Sequence, residues 1–271
     1  MSERPAPASA SLLPSASRRA LISAMLLAAP ALARAQTAAP IRCFGPGGPA
    51  PAMRAAAEAF RQAHGVPVEV VAGPTPQWAG RVAEEADLLF SGAEYMMDEF
   101  LDRFGEVLDP STRRILYLRP SVLLVRPGNP RAYTGLRDLL SRPPQEARIL
   151  ATGGAGQIAL YEDIAGRTGD ISLLRAMRER IVRIAPNTGA AQQEWRSRPD
   201  AYDVWLVWNH WQIAAPEHAS IVEIEEPFRI WRAAGSVLSR RGAARAEVRR
   251  FDAFLAGPEG RAAFERFGWR G

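Results

Sequence analysis

The chain has 271 residues, a length that suits one large domain or two lobes of roughly 100–130 residues each. Its 34 basic residues are all Arg and stand against 29 acidic residues, but no basic run is interleaved with aromatic residues, which excludes a nucleic-acid partner. The single cysteine, Cys43, excludes an internal disulfide. The three histidines lack metal-ligand spacing, so we expect neither a metal nor a cofactor.

Residues 1–35 are predicted to be an export signal peptide. A pair of arginines precedes the apolar run Ala20–Ala33, and the segment ends in a small-x-small cleavage signal at Ala35. Paired arginines before such a run resemble the twin-arginine signal. Leu21 stands where that signal usually has Phe, so the general secretory route stays open. We therefore expect a periplasmic protein that is cleaved near Ala35.

The first third of the mature chain repeats strand, loop and helix three times. Such repeats build a parallel sheet, and ligands bind at the carboxyl ends of its strands. Three glycine-bearing loops, 45–49, 73–76 and 91–93, should converge there. Backbone N–H groups at the positive ends of helix dipoles then favour an anion. Helices are predicted at 51–63, 77–86 and 94–104, the last with a core stripe of Met and aromatic residues.

The second block again alternates strands and helices. The apolar run Ile115–Val125 is interrupted at Arg119-Pro120, which predicts two extended pieces joined at a crossover. Thr134 is a candidate cap for a short helix. A glycine loop, 153–156, lies at a strand–helix junction, and a strand and helices, including one at 243–255, form the tail. Two α/β blocks indicate two lobes around a cleft, a preferred place for ligands.

No motif indicates catalysis, and we predict that the protein is not an enzyme. Gly153–Gly156 lacks the Lys of a phosphate-binding P-loop, and Gly-x-Ser-x-Gly is absent. Glu162 and Asp163 are adjacent, so on a helix their carboxylates point in different directions and form no acid–base pair.

Eight stretches after residue 35 resemble sequences of a known family. They are Phe44–Pro51, Ala72–Trp78, Phe90–Glu94, Tyr117–Ser121, Val125–Pro130, Gly154–Gln157, Trp205–Asn209 and Gly257–Trp269. These stretches are similar to accessory colonisation factor C, and the match covers nearly all of the chain after residue 35. The C-terminal stretch also resembles solute-binding proteins of the molybdate and sulfate type.

The resemblance implies an α/β, two-lobe periplasmic binding protein fold of type II with the ligand in the interlobe cleft. Residues 36–119 and 228–271 would form the first lobe and residues 120–227 the second. The implied function is extracytoplasmic capture of a small anion (an oxyanion, a carboxylate or a phosphorylated metabolite) for an ABC-type membrane permease, and a homodimer is compatible with it. The alternative is a surface adhesin or antigen that retains the fold. An exported hydrolase using Glu94 or the pair at 162–163 is the third and least favoured hypothesis.

Candidate ligand-binding residues lie in these loops and at the crossover. Arg119 can form a planar fork onto a carboxylate or phosphate, or it can brace the hinge through an ion pair. Glu94 would repel a dianion unless it is protonated or turns outward to its own helix N-terminus; alternatively it pairs with Arg119 or binds an ammonium group of the ligand. Trp78 either lines the pocket or packs beneath it, while Trp205, Trp208 and Trp211 are expected in the core or at a dimer surface. The full predicted set is Gly47, Gly48, Thr75, Ser91, Arg119, Ser121, Gly154, Gln157 and Asn209.

Overall fold

The structure, a computed structural model, describes residues 1, 39–154, 157 and 159–271. The arginine pair, apolar run and cleavage site predicted for the export signal lie outside the described residues. Within them, no helix combines the length and the apolar character needed to cross a membrane.

Strands and helices alternate along the described chain. The strands are β1 (Ile41–Gly45), β2 (Val68–Ala72), β3 (Leu88–Ser91), β4 (Arg114–Val125), β5 (Ile149–Thr152), β6 (Ile181–Ala185), β7 (Val204–Trp208), β8 (Ser220–Glu223) and β9 (Trp231–Leu238). The helices are α1 (Ala50–His64), α2 (Val82–Glu85), α3 (Glu94–Phe104), α4 (Leu136–Ser141), α5 (Leu160–Gly166), α6 (Ile171–Arg180), α7 (Thr188–Ser197), α8 (His210–Ile213), α9 (Arg240–Ala244), α10 (Ala246–Ala256) and α11 (Pro258–Glu265).

The first lobe contains the strand order β2-β1-β3-β9-β4. β1 runs parallel to β2 and β3, as the strand–loop–helix repeats predict, whereas β9 is antiparallel to β3 and β4. The amphipathic face of α1 buries Met53 and Phe60, and Phe60 packs edge-to-face on Phe251 of α10. The C-terminal segment therefore returns to complete the first lobe.

The second lobe is built around the far half of β4. That half pairs antiparallel with β7 and β8, and β5 lies parallel to β6 and β7. β4 is one continuous strand, so the prediction of two separate pieces was wrong. Pro120 falls where β4 exchanges β9 for β7, so its missing N–H interrupts neither ladder. The lobe boundaries at 119/120 and 227/228 stay predictions.

Each lobe has a buried aspartate at the amino ends of its parallel strands. Asp87 Oδ2 accepts hydrogen bonds from the Arg42 amide at 3.0 Å and from Arg245 Nη1 at 2.7 Å. Asp203 Oδ2 accepts from both the amide and the Nε of Arg148, at 3.0 and 2.9 Å. These ion pairs stabilise the strands from the end opposite the ligand-binding edge expected for a parallel sheet.

Three local predictions needed correction. Thr134 does not cap α4; the Glu225 carboxylate instead accepts hydrogen bonds from the α4 amides of Leu136 and Arg137 at 2.7 and 3.1 Å. The helix expected at 77–86 is replaced by two 3₁₀ turns and the short α2. The helix expected at 243–255 is divided into α9 and α10, because Arg245 between them is extended.

Candidate functional site

A cavity of about 620 Å³ opens between the two lobes. The three predicted first-lobe loops contribute to its wall, together with α3 and β4. The second lobe contributes the loops after β5 and β6, the first residues of α7, the last residue of β7 and Trp211 of α8. The lining residues are Pro46, Gly47, Gly48, Pro49, Gly73, Pro74, Thr75, Pro76, Gly92, Met96, Glu99, Phe100, Arg103, Arg119, Gly154, Gln157, Pro186, Asn187, Thr188, Gly189, Trp208 and Trp211.

Six of the nine predicted site residues lie together in this wall. Two others have side chains committed to the protein itself: Ser121 Oγ accepts from the Ile230 amide at 3.0 Å, and Asn209 Nδ2 donates to the Gly268 carbonyl at 2.7 Å. The buried hydroxyl of Ser91 lies beside Gly235, outside the lining. The six that line the cavity are Gly47, Gly48, Thr75, Arg119, Gly154 and Gln157.

Three helices begin at the cavity. α1 and α7 start directly after a lining residue, and α3 starts two residues after one, so their positive dipole ends face the space between the lobes. Within the described residues, the amides of Gly47, Gly48, Thr188 and Gly189 donate no hydrogen bond. Unused amides at helix N-termini are the standard backbone contribution to an anion site.

Arg119 forms the floor of the cavity. Its side chain is buried, with the guanidinium carbon 5.0 Å from the ring centre of Trp208 and 4.7 Å from that of Trp269. Nη2 donates to the Gly92 carbonyl at 2.9 Å, and Nη1 lies 3.4 Å from both ring nitrogens of His210. Nε has no partner among the described residues. A side chain with five N–H donors is thus largely unused by the protein.

No carboxylate of the described residues lies within ion-pair distance of Arg119. Burial lowers the pKa of Arg119 to about 9, so the guanidinium is still protonated at neutral pH. Burial, followed by repulsion from Arg119, holds the pKa of His210 well below its ordinary value, so the imidazole is neutral there. The floor of the cavity therefore carries a buried positive charge that has no counterion among the described residues.

Glu94 does not supply that counterion. It is the first residue of α3, where a negative charge is favoured by the helix dipole, and Oε2 accepts from Arg113 Nη2 at 2.8 Å. Of the alternatives considered for Glu94, the pairing with Arg119 is not observed: Oε2 pairs with Arg113, and Oε1 is buried without a hydrogen-bond partner among the described residues. The alternative in which Arg119 braces the hinge through an ion pair finds no acidic partner in the described residues.

The second lobe faces Arg119 with neutral polar groups. Gln157 is buried, with Nε2 3.4 Å from Thr188 Oγ1 and Oε1 lacking a partner among the described residues. Asn187 caps α7 by accepting from the Ala190 amide at 2.9 Å, which fixes the loop that carries the unused amides of Thr188 and Gly189. This wall can donate hydrogen bonds to an anion without adding charge.

Sequence reasoning missed part of the wall. The loop 186–189 carries the same strand–glycine–helix signal as the predicted loops and could have been included on that ground. Trp208 is buried in the core of the second lobe and Trp211 packs against that core, as expected, but both also line the cavity, which was not predicted. Trp78 packs beneath it, and its Nε1 donates to the Gly73 carbonyl at 3.0 Å, which holds the loop 73–76 in place.

Comparison with solved structures gives close relatives. Peb3 from Campylobacter jejuni is 30% identical, with 85% of this chain and 99% of Peb3 covered and a TM-score of 0.77. A structure of PEB3 with bound L-phospholactate has the same identity and coverage and a TM-score of 0.78. The molybdate-binding protein of Azotobacter vinelandii shares the fold, at 20% identity, 84% and 98% coverage and a TM-score of 0.63. No curated protein sequence matches the chain.

These likenesses confirm the predicted two-lobe periplasmic binding protein fold. Residues 41–270, nearly all of the described chain, match the family model for bacterial extracellular solute-binding proteins. Family and fold are those of binding proteins rather than enzymes. The chain belongs to the bacterial extracellular solute-binding proteins.

Proposed function

We propose that this protein captures a small anion, a carboxylate, oxyanion or phosphorylated metabolite, in the cleft between its lobes. The observation that carries the proposal is Arg119, a buried and protonated guanidinium at the floor of an open cavity, for which the part of the chain that the structure describes supplies no counterion. An isolated buried charge is costly, and an anionic ligand supplies the missing partner. Carboxylates and phosphates also match the planar fork of the guanidinium.

The backbone around Arg119 supports the same ligand class. The amides of Gly47 and Gly48 on one side, and of Thr188 and Gly189 on the other, can close around an anion from both lobes. A relative 30% identical to this chain has been solved with L-phospholactate, which bears both a carboxylate and a phosphate. We therefore rank phosphorylated carboxylic acids first among the anions to test.

Delivery of the anion to an ABC-type permease after export to the periplasm completes the proposal. It rests on the family and on the predicted signal peptide ending at Ala35. A closer relationship to accessory colonisation factor C is part of the same proposal and rests on the sequence stretches that resemble it. The adhesin alternative has no specific observation in its favour among the described residues.

A thermal-shift panel followed by calorimetric titration tests the ligand class. Sulfate, phosphate, citrate and phospholactate are compared with neutral sugars and with cationic amino acids. A ligand at 100 times its dissociation constant adds about 2.7 kcal/mol to the free energy of unfolding, a readily measured rise in melting temperature. Native mass spectrometry of protein purified without added anions identifies any ligand carried along. Stabilisation by neutral or cationic compounds alone would contradict the proposal.

A further inference from the structure

The C-terminal tail, residues 267–271, follows α11 and reaches Arg119 at the floor of the cavity. Trp269 is 1% exposed, and its ring centre lies 4.7 Å from the guanidinium carbon of Arg119. The same ring stacks on His210, with the ring centres 5.9 Å apart and the ring planes at 29°. Trp269 therefore contacts both side chains at the floor, although it is not among the residues that line the cavity.

Hydrogen bonds alone hold Arg119 weakly. The bond from Nη2 to the Gly92 carbonyl is short, at 2.9 Å, whereas both contacts of Nη1 with the His210 ring are long, at 3.4 Å. A guanidinium is attracted to the face of an aromatic ring by the ring quadrupole. Arg119 has two such rings, Trp208 of β7 at 5.0 Å and Trp269 of the tail at 4.7 Å. The orientation of the guanidinium therefore depends on aromatic packing as well as on hydrogen bonds.

Backbone and side-chain bonds tie the tail down on both sides of the tryptophan. On one side, Arg270 exchanges two backbone hydrogen bonds of 2.7 Å with Leu118, the residue before Arg119. On the other side, the Gly268 carbonyl accepts from Asn209 Nδ2 at 2.7 Å. Gly268 has a φ of 77°, a left-handed turn that favours glycine. These bonds fix the tryptophan ring against the guanidinium.

We infer that Trp269 is a positioning residue for anion binding, which holds the guanidinium of Arg119 in the orientation that receives the ligand. This inference deepens the proposed function and rests on it. Without the indole, a guanidinium with one short hydrogen bond can turn and present its planar fork poorly to the anion. The loss is then one of affinity for every anion that binds at Arg119, rather than a change of preference among anions.

A double-mutant cycle tests this role. Calorimetric titration with phosphate, citrate and phospholactate compares the parent, Trp269→Leu, Arg119→Met and the double variant. We expect Trp269→Leu to weaken binding of the tightest anion by about 5-fold or more in the parent and by less than about 2-fold in the Arg119→Met background, because a positioning residue acts only through the group that it positions. Equal losses in the two backgrounds, or no loss in a folded Trp269→Leu protein, overturn the inference. Failure of all three anions to bind the parent refutes the proposed function itself.

Rescue by an aromatic residue and a matched control separate positioning from general stability. Trp269→Phe keeps an aromatic face for the guanidinium and should hold affinity within about 2-fold of the parent. Trp195 is also 1% exposed and lies against Arg126, near the end of α7 that is remote from the cavity. Trp195→Leu should therefore lower the melting temperature with affinity within about 2-fold of the parent. Equal losses of affinity in Trp269→Phe and Trp269→Leu, or in Trp195→Leu and Trp269→Leu, contradict the inference.

Thermal melts without ligand check that each variant folds. If Trp269→Leu does not fold, Trp269→Met takes its place throughout, because the longer unbranched side chain fills more of the vacated space without supplying an aromatic face. The expected losses and the contradicting results are the same for this variant.

Discussion

Two arginines, Arg119 in strand β4 and Arg126 directly after that strand, lie on tryptophan rings, and they have opposite relations to the protein around them. Arg126, in the second lobe, lies 3.6 Å from the ring centre of Trp195 and donates to carbonyls of Trp195, Arg198 and Tyr202 at 2.9–3.2 Å. Arg119, at the lobe junction, makes one short bond, to Gly92. Burial lowers the pKa of both side chains.

The two arginines differ in how many of their N–H donors find hydrogen-bond acceptors in the protein. Arg126 binds carbonyls at the C-terminal end of α7, where the helix dipole is negative, so the protein itself completes its hydrogen bonding. Arg119 is a buried charge with no counterion among the described residues, and under the proposed function an anion supplies it. The same helix α7 begins at the cavity, where its positive end would face that anion. We therefore propose that Arg126 stabilises the fold and that Arg119 binds the ligand.

The largest effect should come from Arg126→Met. Loss of the guanidinium leaves several carbonyls near the end of α7 without a donor, and we expect the free energy of unfolding to fall by about 2–4 kcal/mol. Anion affinity of the folded variant should stay within about 2-fold. Urea denaturation and calorimetric titration give the two numbers. An Arg126→Met variant as stable as the parent would contradict the stabilising role of Arg126 and thus its difference from Arg119.

Arg119→Met should have the opposite effects, a large loss of anion affinity with no loss of stability. Losing a charge-assisted fork of roughly 1.5–3 kcal/mol weakens anion binding about 10- to 150-fold. Stability without ligand should be unchanged or higher, because an apolar side chain of similar length relieves the cost of burying an unpaired charge. Arg119→Lys should restore only part of the affinity, since an ammonium lacks the planar fork. Unchanged affinity with a large loss of stability would make Arg119 a hinge brace.

Lowering the pH should reduce the free energy of unfolding through His210, the histidine beside Arg119. The folded state holds the pKa of His210 well below 6.5, so below about pH 6.5 the unfolded chain binds a proton that the folded chain does not. The free energy of unfolding should therefore fall as pH decreases through this range, by at most about 1.4 kcal/mol per pH unit from this group. Urea denaturation of the parent and of His210→Phe at pH 7, 6 and 5 isolates the contribution. Equal pH slopes for the two proteins would contradict it.

The smallest effect concerns the packing of Arg119 against the first loop. A Cβ on Gly48 would lie 2.7 Å from Arg119 Nη1, whereas a Cβ on Gly47 meets no atom within 4 Å. Gly48→Ala should displace the guanidinium and weaken anion binding about 5-fold, roughly 1 kcal/mol. Gly47→Ala is the matched control and should change affinity less than 2-fold. Equal effects of the two substitutions would mean that the position of Arg119 does not limit affinity.

The sequence predicted the parts of the fold that depend on local pattern. Apolar strands, amphipathic helices such as α1 and the glycine-bearing loops between them follow from periodicity and turn chemistry, and the structure contains them. Prediction from the sequence was less successful where contacts between residues far apart in the chain decide the local structure. The cap of α4 is the carboxylate of Glu225, far along the chain, so the nearby Thr134 was a misleading signal. Pro120 appeared to interrupt β4, because its exchange of partner strands is not visible in a linear pattern.

The candidate site likewise has parts that the sequence predicts and parts that depend on tertiary contacts. Loops with glycine at the ends of parallel strands could be identified from the sequence alone, because parallel strands bring their carboxyl ends to one edge. Whether a polar side chain in those loops is available to a ligand depends on its tertiary partners. Ser121 and Asn209 are used by the Ile230 amide and the Gly268 carbonyl, and Trp208 lies under Arg119. The sequence determined a two-lobe binding protein with an anion-favouring edge. Only the tertiary structure decided that Arg119 is buried with no carboxylate of the described residues within ion-pair distance, since that depends on which charged groups the fold brings near it.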